Sequence, residues 1–464
     1  MMKKFIGRNK ELGLLEEAYS SNRSEFIPIY GRRRVGKSEL ILQFMKSKTG
    51  IYYLGKQAQE KLQISEFLRE SAEVLQEPLL SKISPEDWKS ALEAVDEKRS
   101  KEEKLIIVFD EFQWMVEDSP SLPSILQEFW DRRWKKNGNI MLIICGSYIG
   151  FMEREILGKK KPLSGRRTYQ IFLKPFGYRE AMKFHPGYSL TDQAKTYFIC
   201  GGLPLYLENF FPAKSVEQNI CLNFLNEFAP LYREVDFLLR EEFREVEKYY
   251  AILLVISSGS ATNKEIARKT GIDARKLHYY LKQLMELGYV ARKYPLTSKI
   301  PSAREVKYIL DDPLIRFWFH FIYPNISYIS RVSPSKAFAD RIRPGLPAYF
   351  GVCFERLCRE SLSFLYQKEG VETGFEAGEY WDKDIQIDVV GPRDDNWTDI
   401  GECKWGVIRS TKAVIRELES KIDNYPNYRN ATIGPRIFTR QKINNTSSVR
   451  GDIKWHCLED LYLI

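Results

Sequence analysis

An α/β fold organised around a parallel sheet is the class this sequence predicts, and three observations predict it. Residues 1–175 alternate short β-rich runs with helical patterns, as strands joined by crossover helices do. One strand-to-helix junction is a glycine-bounded loop, Gly31-Arg32-Arg33-Arg34-Val35-Gly36-Lys37-Ser38. A second α/β unit runs over 348–464, beyond a long helical stretch. At 464 residues the chain exceeds what one hydrophobic core usually organises, so roughly two to four domains are expected.

The strands expected in the first domain are 26–30, 51–54, 104–110, 140–145 and 169–173. All but 51–54 are apolar runs too continuous for a half-exposed strand, which predicts central strands covered on both faces. From 176 to 240 the pattern is helical, interrupted by Gly201-Gly202-Leu203-Pro204, and suits a small helical lid. Three helical patterns and two short strands over 241–322 predict a winged helix-turn-helix. The segment 323–347, rich in Pro, Ser and Arg with little periodicity, is the expected linker to the C-terminal α/β domain at 348–464.

Hydrophobic residues make up 44% and charged ones 29% of the chain, the balance of a globular protein rather than a disordered or fibrous one. The net charge of +9 and isoelectric point near 8.9 favour a polyanionic partner. Seven cysteines without a C-x-x-C pair or Cys/His cluster suggest neither a disulfide framework nor structural zinc, and a reducing compartment suits them. No stretch reaches the ~18 to 20 apolar residues of a membrane span, and the N-terminus lacks a signal-peptide apolar region. A cytoplasmic protein is expected.

The loop at 31–38 matches G-x-x-x-x-G-K-[ST], with an apolar run before it and a helical pattern over 39–46 after it. Its glycines let the backbone curl so that N–H groups surround phosphates, while the following helix, entered through Glu39, presents its positive N-terminal end. The expected ligand is ATP with Mg²⁺. Gly31, Arg32, Arg33, Arg34, Val35, Gly36, Lys37, Ser38 and Glu39 form the cradle, Lys37 reaching the β and γ phosphates and the Ser38 hydroxyl binding the metal. Leu105-Ile-Ile-Val-Phe-Asp110-Glu111 is an apolar strand ending in two carboxylates. It places Asp110 near the metal and Glu111 where it polarises the attacking water, with a plain strand-end cap as the alternative. Ser147, after the next strand, is either a γ-phosphate sensor or part of a turn. Arg166-Arg167 supply an arginine finger or a solvated basic turn.

Ile6-Gly7-Arg8-Asn9-Lys10-Glu11, the Asp110-Glu111 strand and Gly201-Gly202-Leu203-Pro204 together resemble the archaeal-type ATPases of the AAA+/STAND superfamily. Tyr308-Ile-Leu-Asp-Asp-Pro-Leu-Ile-Arg-Phe-Trp-Phe looks like the segment closing that family's winged helix, before a C-terminal domain often described as nuclease-like. The resemblance implies that Ile6 to Arg8, Arg8 among the nucleotide-binding residues, lie near the adenine and that the lid carrying Gly201 and Gly202 closes over the nucleotide.

Within the winged helix, Thr262-Asn-Lys-Glu-Ile-Ala-Arg-Lys-Thr-Gly271-Ile-Asp273 offers an N-cap, a short helix, a glycine turn and a second N-cap. The helix expected over 274–287 turns Leu277, Leu281 and Leu284 inward. Arg275, Lys276, His278, Tyr279 and Lys282 occupy its other faces, suited to a DNA groove or, alternatively, merely solvated on a protein-binding module.

Farther on, Asp384-Ile-Gln-Ile-Asp388-Val-Val and Asp399-Ile-Gly-Glu402-Cys-Lys404-Trp predict two strands joined by a polar turn at 392–396. A hairpin symmetric about Asp395 sets Asp388 opposite Glu402, with Glu402 and Lys404 on one face and Cys403 on the other. Two carboxylates and a lysine have the chemistry of a Mg²⁺-dependent phosphodiesterase: Asp388 and Glu402 hold metal while Lys404 orients the water. The cluster resembles the core of the PD-(D/E)XK nucleases, and Glu355, on a preceding helical pattern, falls where that superfamily often places another acid. His185, His320 and His456 have no partner at ligand spacing and suit packing. The chain therefore predicts an ATP-driven switch that binds and cuts or holds DNA, as a homo-oligomer or with a protein partner, or else a regulatory ATPase whose C-terminal modules bind protein partners.

Overall fold

The computed structural model describes residues 5–463 apart from 138, 260, 298–301, 303–304 and 444–451. Two compact units divide it: the chain up to Pro175 with Leu203–Leu205, and Phe176–Gly202 with the chain from Tyr206 onward.

The first unit is built on five parallel strands, β1 (Glu25–Tyr30), β2 (Gly50–Leu54), β3 (Leu105–Asp110), β4 (Ile140–Gly146) and β5 (Ile171–Phe172), in the order β2-β3-β4-β1-β5. β1, β3 and β4 are buried along their whole length, the environment their continuous apolar runs require. Phe26, Phe67, Trp88, Phe109 and Trp134 belong to one core beside them. The run at 169–173, expected as a central strand, is an edge strand instead: it pairs only with β1, and Phe172 is 42% exposed. Its apolar character serves Leu173, whose amide donates to the Tyr30 carbonyl at 2.7 Å. The Leu173 carbonyl comes so near Gly31 that a Cβ there would lie 2.3 Å from it, so position 31 must be glycine.

In the second unit, helices fill most of 176–240, and Leu190–Cys200 stops at the Gly201-Gly202 break. The winged helix comprises helices Val246–Ser257, Asn263–Thr270 and Ala274–Glu286, with β6 (Ala261–Thr262), β7 (Val290–Lys293) and β8 (Lys307–Leu310) in an antiparallel sheet ordered β6-β8-β7. Thr262 and Glu265 form a reciprocal capping box, and Asp273 caps the second helix of the motif. Where a linker was expected at 323–347, the chain forms short helices with Ile329, Ala337, Phe338 and Ile342 buried. The prolines explain the difference. Pro324, Pro334, Pro344 and Pro347 each stand in the first turn of a helical segment, where a missing N–H costs nothing.

The C-terminal sheet has the order β13-β12-β11-β10-β9, from β9 (Gly378–Trp381), β10 (Gln386–Pro392), β11 (Trp397–Lys404), β12 (Thr432–Thr439) and β13 (Lys454–Cys457), with helix Leu346–Lys368 packed on β10 and β11. The chain leaving β7 joins this domain. Pro295 bridges Glu379, the Leu296 amide donates to the Glu379 carbonyl at 2.8 Å, and Leu296 is buried in the C-terminal core. Among the described residues no helix is long and apolar enough to cross a membrane.

Candidate nucleotide site and C-terminal carboxylate cluster

The glycine loop joins the end of β1 to helix Lys37–Met45, and its conformation depends on left-handed residues: Arg34 at φ 66° and Gly36 at φ 90°. Lys37 is buried, its ammonium donating to the carbonyls of Gly31 at 3.0 Å and Arg32 at 3.2 Å across the curl. Arg32, Arg33 and Arg34 are half-buried, Val35 is buried, and the Glu39 side chain is exposed in the first helical turn. The unpaired amides of that turn, a lysine ammonium and a loop free of acidic side chains fit a polyphosphate. Arg8 serves the loop's shape: its Nη2 donates to the carbonyls of Val35 at 3.1 Å and Lys174 at 2.8 Å, and its Nη1 pairs with Glu11.

Ser38 Oγ donates to Asp110 Oδ2 at 2.5 Å, and Tyr52 Oη reaches the same oxygen at 2.5 Å from β2. Burial, then the Asp110 charge, raises the Tyr52 pKa, so the phenol stays a donor. A hydroxyl beside a fully buried carboxylate is a donor set that suits Mg²⁺, a hard cation that takes oxygen ligands. Glu111 stands in the left-handed region at φ 49°, a strained position of the kind that clusters at functional sites. Its Oε2 accepts from Ser147 Oγ at 2.7 Å and from the Gln113 amide. Ser147 is therefore brought to the Asp110-Glu111 strand end. Arg166 is not: it is engaged by Asp131 at 2.7 Å and by the carbonyls of Pro162 and Ser164, while Arg167 is exposed.

In the C-terminal domain β10 and β11 pair antiparallel, Val389 opposite Gly401 and Gly391 opposite Asp399, a register symmetric about Asp395. One step farther lie Asp388 and Glu402, both buried. Asp388 occupies a break in the β9–β10 register between Ile387 and Val390, the kind of bulge that re-aims a side chain. Its Oδ2 accepts from the Cys403 amide at 3.0 Å. Lys404 Nζ lies 2.7 Å from Glu402 Oε1, and Lys421, from helix Thr411–Asp423, donates to Glu402 Oε2 at 2.5 Å. Burial works against charge on Lys404, but Glu402 and Glu417 outweigh it and hold its pKa above an ordinary lysine's. Glu355 feels this cluster from helix Leu346–Lys368: burial first, then the negative charge of Asp388, pushes its carboxyl up to about 7. Among the described residues no group of three Asp, Glu, His or Cys side chains could hold a metal ion. A divalent cation at Asp388 and Glu402 would have to displace an ammonium group.

Helix Ala274–Glu286 buries Leu277, Leu281 and Leu284 and exposes Arg275, Lys276, His278, Tyr279 and Lys282. His185 and His456 are buried and held by the Phe210 carbonyl and Arg436, and His320 packs on Phe321 and Tyr349. Tyr52, Gln113 and Lys421 escape sequence reading. Only the four-residue spacing of Glu417 and Lys421 on one helix face hints at the last.

Three family descriptions match parts of the chain. Residues 5–210 match an ATPase domain predominantly from Archaea, 250–291 a winged helix-turn-helix of the DNA-binding type, and 318–420 archaeal and bacterial proteins of unknown function. An uncharacterized protein of Methanocaldococcus jannaschii is 31% identical over 450 residues, spanning 94% of this chain and 97% of that protein. An uncharacterized ATP-binding protein of the same organism is 46% identical over 44 residues, 10% of this chain and 75% of that protein. Among solved structures, a Walker-type ATPase of Pyrococcus abyssi is similar with a TM-score of 0.51 at 17% identity, over 68% of this chain and 96% of that one, a likeness of fold.

Proposed function

Because this chain belongs to the archaeal-type family of P-loop ATPases, we propose that it is an ATP-driven switch acting on DNA. One observation carries the reading: the Ser38 hydroxyl rests on Asp110 beside the phosphate loop, with Glu111 next to it under the control of Ser147 and Gln113. In this proposal the amides of residues 31–38 and Lys37 hold the triphosphate. Ser38 and Asp110 hold Mg²⁺, which when bound neutralises charge on the phosphates. Glu111 accepts a proton from the attacking water, and Ser147 orients that carboxylate. The exposed basic face of helix Ala274–Glu286 contacts DNA phosphates. A Lys37→Ala chain is expected to lose ATP binding and turnover, and turnover at the wild-type rate in that variant would refute the site.

The C-terminal cluster supports two readings. Asp388, Glu402 and Lys404 on one hairpin favour Mg²⁺-dependent cleavage of DNA, with Glu355 as a further acid. The two ammonium groups on Glu402 favour a domain that holds a partner without cutting it. Cleavage of plasmid DNA that needs Mg²⁺ and disappears in a Glu402→Ala/Lys404→Ala chain supports the first. Its absence, or its survival in the double variant, leaves the second.

A further inference from the structure

Arg316, on helix Pro313–Phe317, holds a charge with few acceptors. Its Nε donates to Tyr349 Oη at 3.4 Å, its Nη2 reaches Cys353 Sγ at 3.6 Å, and its Nη1 is buried with no hydrogen-bond partner. A phenol and a thiol are weak acceptors for a guanidinium, which carries five donors, and buried polar groups left unmatched are rare enough to need a reason.

Arg316 lines a cavity of about 600 Å³, walled by the end of helix Val246–Ser257, β7, β8, helix Leu346–Lys368, β9 and β10. Lys293, Arg356 and Arg359 line it as well, but each is already matched. Lys293 pairs with Glu379 at 3.2 Å, Arg356 with Asp311 and the Leu310 carbonyl, and Arg359 with the Asp388 carbonyl at 2.5 Å. Among the described residues, Arg316 is the cation of this cavity with no hydrogen bond to a carboxylate or carbonyl.

A cavity of this volume suits a nucleotide-sized ligand, and a guanidinium fork suits a phosphate. The rings of His320 and Tyr349, centroids 5.5 Å apart, give the same wall an aromatic surface. Glu355 and Gln386 offer acceptors and donors for hydroxyl or amino groups. We propose that the cavity is a second phosphate-ester site, distinct from the loop at 31–38, that takes one nucleoside monophosphate moiety with its phosphate on Arg316. Two sources carry that chemistry: a free mononucleotide, or the terminal nucleotide of a nucleic-acid strand.

The test uses the full chain with Lys37→Ala, so that the phosphate loop does not compete, and with Arg275→Ala/Lys276→Ala in the oligonucleotide arm. Calorimetry with adenosine 5′-monophosphate and with 5′-phosphorylated tetrathymidylate is expected to show saturable binding in at least one arm. Binding of the first alone identifies a free nucleotide, of the second alone a strand end. Arg316→Met is expected to weaken that binding by about ten- to a hundredfold. Val352→Trp, a substitution on the rim at a residue 55% exposed, leaves the fold alone and is expected to block entry. No binding in either arm, or binding that survives Arg316→Met or Val352→Trp at unchanged melting temperature, overturns the proposal.

Discussion

Glu355 shows how a single side chain couples its surroundings to pH. Its carboxyl moves from 4.5 to about 7 because burial penalises the charged form and Asp388 repels it. Between those values the folded chain holds a proton that the unfolded chain has released, so stability falls as pH rises through this window and levels off above it. Asp388 and Glu402 are raised in the same direction, burial leading in both. In metal-free buffer the melting temperature is therefore expected to drop from about pH 5 to about pH 7, and Glu355→Gln, which keeps the shape without the charge, should flatten that drop and raise the value at about pH 8. Melting profiles of the two chains that stay parallel across the range would show that the proton sits elsewhere. The sequence makes Lys37, Ser38, Asp110, Glu402 and Lys404 readable because each belongs to a local spacing that chemistry constrains. Tyr52 and Lys421 reach the same carboxylates from other elements, and nothing local in the chain announces a hydroxyl carried across the β2–β3 register or an ammonium carried by a helix.

At the scale of elements, alternation and turn chemistry carried the reading where one strand or one helix decides the outcome. The β10–β11 hairpin is an example: its polar turn fixes the centre of symmetry, and side-chain period two then fixes which residues face each other. Position within a sheet is different, since an edge strand can be as apolar as a central one when a single residue such as Leu173 has a packing role. The prolines of 323–347 also act by position: their effect depends on whether they start a helix or interrupt one. The segment after β7 goes further. Leu296, 5% exposed, has left the winged helix for the core that holds Tyr380, Ile387, Ile400 and Leu418, and Tyr425 Oη donates to its carbonyl at 3.1 Å. Lys293 and Lys307 also lie over the Trp381 ring, 4.9 and 5.0 Å from its centroid. Leu296→Ala is expected to cost about 2 to 4 kcal/mol by urea unfolding, the range for a buried leucine. A cost under about 0.5 kcal/mol, typical of surface substitutions, would mean that this segment merely rests on the C-terminal domain.

For the whole molecule, the switch reading makes a demand that no single site can meet alone. ATP biases the state of the winged helix only if it binds the DNA-competent state with a different affinity from the other state. Linkage then requires that DNA change the affinity for ATP by the same factor by which ATP changes the affinity for DNA. Typical couplings correspond to about 5- to 150-fold, large enough to measure from both directions with a non-hydrolysable ATP analogue and a duplex oligonucleotide. The exposed cations of helix Ala274–Glu286 supply the control. Arg275→Ala/Lys276→Ala is expected to weaken DNA binding and reduce the slope of log affinity against log salt by about 2, two phosphate contacts' worth. The affinity for the analogue in the absence of DNA should stay as it was, because those residues lie on the winged helix and not on the phosphate loop. Equal factors in both directions, both abolished by Lys37→Ala, are what a nucleotide-gated DNA switch must give. Factors near one in both directions would leave a phosphate-binding ATPase and a DNA-binding helix that share a chain without sharing a state.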